Sequence, residues 1–125
     1  MIDITEIAKE TINTLSPYLI IGGQEIIKGV ASDLWTKVKS VFKKKGEEKL
    51  IEEFEKSPTD LKTKGKMEYV LESELKVDSD LVLTLTDFIK SVQATEDYKN
   101  YVTQIGDNNI SVTGKITNST IKIKR

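Results

Sequence analysis

The spacing of apolar residues divides the chain into a long first part and a short ending of different pattern. Up to about residue 95, apolar side chains recur every three or four residues, which is typical of amphipathic helices around a shared core. From residue 104 onward, isoleucines alternate with Ser, Thr, Lys and Asn, which is typical of β structure. The sequence therefore predicts a mainly α protein: a helical bundle of about five helices followed by a short C-terminal β-arch or β-hairpin segment.

Local signals place the ends of the first helices. The first helix is predicted over roughly residues 3–15, because Ser16 and Pro17 interrupt the pattern and suit the start of a new helix. A long helix follows from Gln24. It is predicted to end in a run of lysines before Gly46, which suits the residue just past a helix C-terminus.

Two further start signals complete the helical part. In the segment 57–60, Ser57 is predicted to cap a helix, with Pro58 in its first turn and Asp60 two residues later. Asp78 is predicted to cap the next helix, which runs to Val92 although residues 81–86 also have strand propensity. The predicted domains are a helical bundle over 1–95, a polar connector over 96–103 and a β-forming self-assembly motif over 104–125.

The β-type ending is the strongest indication of function. A single short polar tail buries too little apolar surface to offset the entropy of ordering it, so we expect it to pair with copies of itself or with a similar tail on a partner. Stacked isoleucines would form a dry seam and stacked asparagines amide ladders. A hairpin capping the helices, a strand of a small oligomer and a disordered tail are the alternatives. The candidate self-assembly residues are Ile105, Asn108, Asn109, Ile110, Val112, Ile116, Asn118, Ile121 and Ile123.

The amino-acid composition argues against a catalytic function. The chain has 125 residues with no Cys and no His, which excludes disulfides, Cys or His nucleophiles and most zinc or copper sites. The carboxylate pairs Glu52/Glu53 and Glu72/Glu74 are expected on solvent-facing sides of helices. The sequence therefore predicts a protein that is not an enzyme, with no catalytic residues, no bound metal and no cofactor.

The net charge of −1 conceals a lysine cluster at the end of the second long helix. Lysines beside large apolar side chains suit contact with an anionic membrane, whereas nucleic acid is not an expected partner. The alternative, favoured for a single molecule, is a solvated helix end with lysines near the negative end of the helix dipole. The candidate membrane-contact residues are Trp35, Lys39, Phe42, Lys43, Lys44 and Lys45.

The N-terminal region offers a second route to a membrane. The stretch from Ile4 to Ile27 is read either as a helix pair of the core or as a segment that leaves the bundle, with residues 17–23 as its hinge. The acidic N-terminus does not resemble a secretory signal. We therefore expect a cytoplasmic protein that associates with a membrane after assembly.

Several blocks of the sequence resemble a known family. Residues 54–60 and 71–81, preceded by Leu34–Trp35 and the lysines at 43–45, resemble the Bell-type, HeLo-like helical domains of bacterial and fungal programmed cell death. Residues 104–110 and 114–121 are similar to the amyloid signalling motifs that accompany such domains. The resemblance implies a helical part that acts on membranes once clustered, and an upstream sensor carrying a matching motif.

Two functional hypotheses follow. The first is a non-enzymatic signalling or effector protein of bacterial immunity, antiviral defence or programmed cell death. It would form homo-oligomers or filaments through its C-terminal β segment and so cluster a helical, membrane-perturbing domain. The second is a helical protein-binding adaptor whose tail forms a small closed oligomer or adds a strand to a partner.

Overall fold

The computed structural model describes residues 3–22 and 27–107, and every regular element in them is an α-helix. The mainly helical prediction is confirmed, with six helices in these ranges where about five were expected. The predicted β segment lies outside the described residues from Asn108 onward. The helices are α1 (Ile4–Gly22), α2 (Gly29–Lys44), α3 (Glu48–Lys56), α4 (Leu61–Leu75), α5 (Ser79–Gln93) and α6 (Glu96–Asp107).

Helix α1 is the element on which most of the others pack. It contacts α4, α5 and α6, while α2 packs against α5, α3 and α4. The two long N-terminal helices therefore share one core, and burying their apolar faces is the main driving force for the fold. The largest fully buried side chains are Tyr18, Phe42, Phe54, Ile12, Leu15, Leu34, Met67, Leu71, Leu75, Leu85, Val38 and Val92.

The predicted break at Ser16 and Pro17 is wrong, because α1 continues through both residues to Gly22. Pro17 has no backbone N–H and costs several kcal/mol in a helix interior, about 3 by usual measure. The buried face continues across it through Leu15, Tyr18 and Leu19, so tertiary packing outweighs that local cost. The Ser16 hydroxyl donates to the Ile12 carbonyl at 2.9 Å, which satisfies this buried hydroxyl inside the core.

The predicted end of α2 is confirmed. Lys45 is the C-cap, and Gly46 follows with a φ of +73°, a left-handed conformation that glycine adopts without strain. The Glu47 N–H donates to the Phe42 carbonyl at 2.8 Å and the Gly46 N–H to the Lys43 carbonyl at 3.1 Å. This pair of bonds is a Schellman motif, which fixes the turn into α3.

Aspartate side chains cap the next helices. The Asp78 carboxylate accepts from the Leu81 N–H at 3.0 Å, as the sequence predicts for α5. For α4 the cap is Asp60, whose carboxylate accepts from the Thr63 N–H at 3.0 Å and the Thr63 hydroxyl at 2.6 Å. The prediction of Ser57 as cap is therefore wrong by three residues, since the helix begins only at Leu61.

The residues of the predicted connector, 96–103, belong to α6, which extends to Asp107. Thr95 opens this helix, with its hydroxyl accepting from the Tyr98 N–H at 3.2 Å. Glu96 and Asp97 in the first turn favour a helix start electrostatically. The first residues predicted as β, 104–107, are therefore helical.

Candidate interaction surfaces

The predicted membrane-contact residues separate into a buried and an exposed group. Trp35 is 3% exposed and Phe42 is fully buried, so both belong to the hydrophobic core and not to the surface. Trp35 packs against Phe54 of α3 with ring centroids 6.3 Å apart. Neither side chain can contact a membrane in this conformation, because both lie on the α2 face that packs against α3, α4 and α5.

Two lysines of the cluster are paired with one carboxylate of α4. Lys44 Nζ lies 2.7 Å from Glu74 Oε2, and Lys45 Nζ lies 3.5 Å from Glu74 Oε1. Glu74 is only 4% exposed, so its predicted place on a solvent face is wrong. The hydrogen bond from Lys44 is the largest of the effects that hold the pKa of Glu74 below its usual value. The same hydrogen bond raises the pKa of Lys44.

The remaining lysines of the cluster are exposed. Lys43 lies in the last turn of α2, where its charge favours the helix C-terminus. Lys39 places its Nζ 5.5 Å from the centre of the Trp35 ring, within cation–π range. The Trp35 indole N–H is buried and has no hydrogen-bond partner among the described residues. All four lysines are thus exposed at the α2 C-terminus, and two of them, Lys44 and Lys45, are also paired with Glu74.

The interface between α1 and α4 contains a polar layer. Lys64 of α4 is buried, and this burial lowers the pKa of its amine, with Glu68 partly opposing the shift. Burial likewise raises the pKa of the Glu68 carboxyl. Glu72 accepts from the Thr5 hydroxyl of α1 at 3.1 Å. Both ionised groups at positions 64 and 68 are therefore held in an environment that disfavours charge.

Aromatic side chains join α6 to α1. Tyr101 meets Tyr18 edge-on, with ring centroids 5.1 Å apart and planes at 75°. Burial is the largest of the effects that raise the pKa of both Tyr18 and Tyr98. Ile105 lies one turn further along α6 and is also buried. These side chains form one apolar face of α6, which rests mainly on α1 and less on α5.

A side-chain amide crosses between α5 and α1 close to this contact. The Gln93 Nε2 donates to the Thr14 hydroxyl at 3.0 Å and to the Glu10 carboxylate at 3.2 Å. Thr14 is fully buried, so this bond satisfies a polar group inside the core. The role of Gln93 could not be predicted from the sequence, because its partners lie about 80 positions away in the chain.

An open groove of about 620 Å³ runs between α3 and α4. Leu50 and Val70 form part of its apolar lining, and Gly65 adds no side chain. At its edge stands Tyr69, which is 74% exposed. The charged lining residues are Glu47, Lys49, Glu53, Lys62 and Lys66. This groove also was not predicted, and its signal in the sequence is the outward-facing Tyr69 on an otherwise polar helix face.

Of the predicted self-assembly residues, Ile105 alone falls in the described part of the chain, as a buried residue of α6. Asn108, Asn109, Ile110, Val112, Ile116, Asn118, Ile121 and Ile123 lie outside it. Within residues 3–22 and 27–107, no three Asp, Glu, His or Cys side chains are grouped closely enough to hold a metal ion. None of the six helices is both long and apolar enough to cross a membrane.

Comparison with known proteins yields no relative. No protein-family model matches the chain, and neither a search of curated proteins nor one of solved structures finds a match.

Proposed function

We propose that this chain is a non-enzymatic signalling protein whose C-terminal segment self-assembles and thereby concentrates its helical domain. The observation that carries the proposal is the change of pattern where α6 ends. Asp107 closes the last helix, and Asn-rich sequence with alternating isoleucines begins at the next residue. A segment of this kind gains main-chain hydrogen bonds and a dry apolar seam only when several copies stack.

In this proposal, assembly of the C-terminal segments brings many copies of the helical domain together. Its apolar faces are buried in one core, and its surface bears a lysine-rich α2 end with Lys39 and Lys43 exposed. One such site binds an anionic surface weakly, but many sites held together bind strongly through avidity. Action on an anionic membrane after clustering is therefore the second half of the proposal. Trp35 and Phe42 would take part only after a rearrangement that exposes them.

The test of assembly compares full-length variants that differ only in which face of the tail carries a new charge. Ile110→Asp with Ile121→Asp places two carboxylates on the proposed apolar seam, and Ser111→Asp with Thr120→Asp places them on the polar side. We expect the wild type and the polar-side variant to form fibres with a 4.7 Å reflection, and the seam variant to remain monomeric. Equal assembly of both variants would contradict the proposal.

The membrane step needs its own measurement. Assembled wild-type protein should release dye from vesicles rich in anionic lipid and not from neutral vesicles, whereas the seam variant should release none. The chain has a single tryptophan, so quenching of Trp35 by brominated lipid reports whether the core opens at the membrane. Assembly without leakage would restrict the function to scaffolding.

The groove between α3 and α4 favours a second candidate function, that of a protein-binding adaptor. An exposed Tyr69 beside an apolar floor is typical of a contact site for another protein. In this case the tail would form a small closed oligomer or add a strand to a partner's sheet. Sedimentation distinguishes the two functions, since the mass of a closed oligomer reaches a fixed maximum as the concentration rises, whereas a stacked assembly continues to grow.

A further inference from the structure

Helix α6 and the proposed assembling segment overlap in sequence. The β-type pattern includes Gln104 and Ile105, yet residues 104–107 form the last turn of α6. Ile105 is 9% exposed and faces the bundle. A residue cannot hold its backbone in a helix and in a β ladder at the same time. Docked α6 and β pairing of the whole 104–125 segment therefore exclude one another.

The side chains that dock α6 lie on one face. Tyr98, Tyr101 and Ile105 follow each other at three- and four-residue steps and turn toward the bundle. The contact of Tyr101 with Tyr18 is its most specific part, because edge-on aromatic pairs depend on orientation as well as on burial. The opposite face is exposed, including Val102 and Thr103. A single row of side chains thus attaches the helix.

Helix formation and docking of α6 depend on each other. The helix has 12 residues, a length at which isolated helices are marginal in water. It rests mainly on α1, with fewer contacts to α5. Loss of the α1 contact should therefore melt α6 as well as release it, and melting frees residues 104–107.

We propose that the α1–α6 contact is an autoinhibitory contact: docked α6 withholds the start of the assembling segment, and release of α6 from Tyr18 permits assembly. This inference rests on the proposed self-assembly function and adds its regulation. Whatever loosens α6, such as a partner that competes for its apolar face, would act as the trigger.

The test weakens the contact without touching the tail. Tyr101→Ala removes the ring that meets Tyr18, and Leu61→Ala is the control, which removes a large apolar side chain at an exposed position at the start of α4. With full-length protein at equal concentration, we expect Tyr101→Ala to shorten the lag before thioflavin fluorescence by about tenfold. Leu61→Ala should keep the wild-type lag.

A second variant shifts the equilibrium in the opposite direction. Asn100→Ala with Thr103→Ala raises the helix propensity of α6 at two exposed positions that precede the assembling segment. We expect a lag several-fold longer than that of the wild type. This variant stabilises α6. It therefore still tests whether docked α6 delays assembly, even if Tyr101→Ala destabilises the whole domain.

Hydrogen exchange at the amides of 96–107 verifies that each substitution alters α6 as intended. Faster exchange in Tyr101→Ala with an unchanged lag would overturn the autoinhibitory contact while leaving self-assembly intact. If the wild type and Tyr101→Ala both stay monomeric at every concentration, the proposed self-assembly fails, and this inference fails with it. The seam substitutions Ile110→Asp and Ile121→Asp should abolish assembly in the Tyr101→Ala background too.

Discussion

The Nζ of Lys44 lies 2.7 Å from Oε2 of Glu74 and ties the C-terminus of α2 to the last turn of α4. Lys45 approaches the other oxygen of the same carboxylate at 3.5 Å. The Glu74 side chain is 6% exposed, whereas that of Lys44 is 67% exposed. One nearly buried carboxylate therefore holds two lysines of the basic α2 end, which lowers the positive charge that this surface offers to a partner.

Replacement of Glu74 should both weaken the fold and raise the basic character of the surface. Glu74→Gln leaves a similar shape but removes the negative charge that Lys44 and Lys45 share. We expect a Tm lower by a few degrees and later elution from a heparin column. Glu72→Gln is the control, since the nearest ammonium to Glu72 is that of Lys76 at 3.9 Å. A heparin shift of equal size in both variants would contradict this interpretation.

The same carboxylate predicts a pH dependence. The pKa of Glu74 is below its usual value of 4.5 in the folded state, so its stabilising effect is complete above pH 4.5. It is lost as the pH falls through the folded-state pKa. The stability difference between wild type and Glu74→Gln should therefore shrink on acidification below 4.5, as measured by urea unfolding. A difference that stays constant down to pH 2 would contradict the lowered pKa.

The buried amine of Lys64 should reduce stability at neutral pH. Lys64→Met keeps an unbranched apolar side chain at this buried position of α4 and removes the charge, so we expect a gain of about 1 kcal/mol in the free energy of unfolding. Lys66→Met, at an exposed position two residues on, should change it little. Urea unfolding at pH 7 measures the free energy of unfolding of both variants. A lower value for Lys64→Met than for the wild type would show that the Lys64 charge is well solvated.

The advantage of Lys64→Met should also depend on pH. The pKa of Lys64 is below its usual 10.5, so the penalty is fully present below the folded-state pKa and disappears as the pH rises toward 10.5. Tyr18 and Tyr98 have raised pKa values and lose stabilisation above pH 10.0. The relevant quantity is therefore the difference in stability between variant and wild type, which should decrease as the pH rises toward 10.5.

Signals carried by neighbouring residues were predictable from the sequence, whereas those that depend on distant residues were not. The Gly46 turn and the Asp78 cap act within a few residues, and both predictions are confirmed. Pro17 was misread because its neighbours favour a break, and the packing that keeps the helix continuous comes from α4, α5 and α6. Local propensity yields to tertiary packing in such cases.

The candidate surfaces were predicted less well than the helices. Trp35 and Phe42 share the apolar stripe of α2 with core residues, so their burial was as consistent with the pattern as exposure. Glu74 adjoins Leu75 on the buried face of α4, but its partner Lys44 lies 30 positions away. Helix α6 was missed because its composition is polar, although Tyr98, Tyr101 and Ile105 have helical spacing.

The N-cap of α5 offers a test of a local signal. Asp78→Ala removes the acceptor for the Leu81 N–H and should reduce the free energy of unfolding by about 1 kcal/mol. Asp78→Asn retains a side-chain oxygen that can cap the helix and should cost much less. Chemical denaturation of the three proteins checks this, and equal losses for Ala and Asn would mean that charge, not capping, matters at this position.

Two glycines should respond to the same substitution with opposite signs. Gly46 has a φ of +73°, so Gly46→Ala forces a Cβ into the left-handed region and should cost about 1 kcal/mol. Gly65 lies inside α4 with helical geometry, and a Cβ there would meet no atom within 4 Å. Gly65→Ala should therefore raise the free energy of unfolding by about 1 kcal/mol, since alanine loses less backbone entropy in a helix.

The open space beside Gly65 also makes this pair informative about the α3–α4 groove. A methyl group at position 65 adds bulk to the groove lining without disturbing the domain. If a partner docks closely in this groove, Gly65→Ala should weaken its binding while raising the Tm, whereas Gly46→Ala should lower the Tm and leave binding unchanged. Thermal unfolding of both variants tests the predicted changes in Tm without a partner. A lower Tm for Gly65→Ala would mean that α4 needs its glycine for backbone conformation.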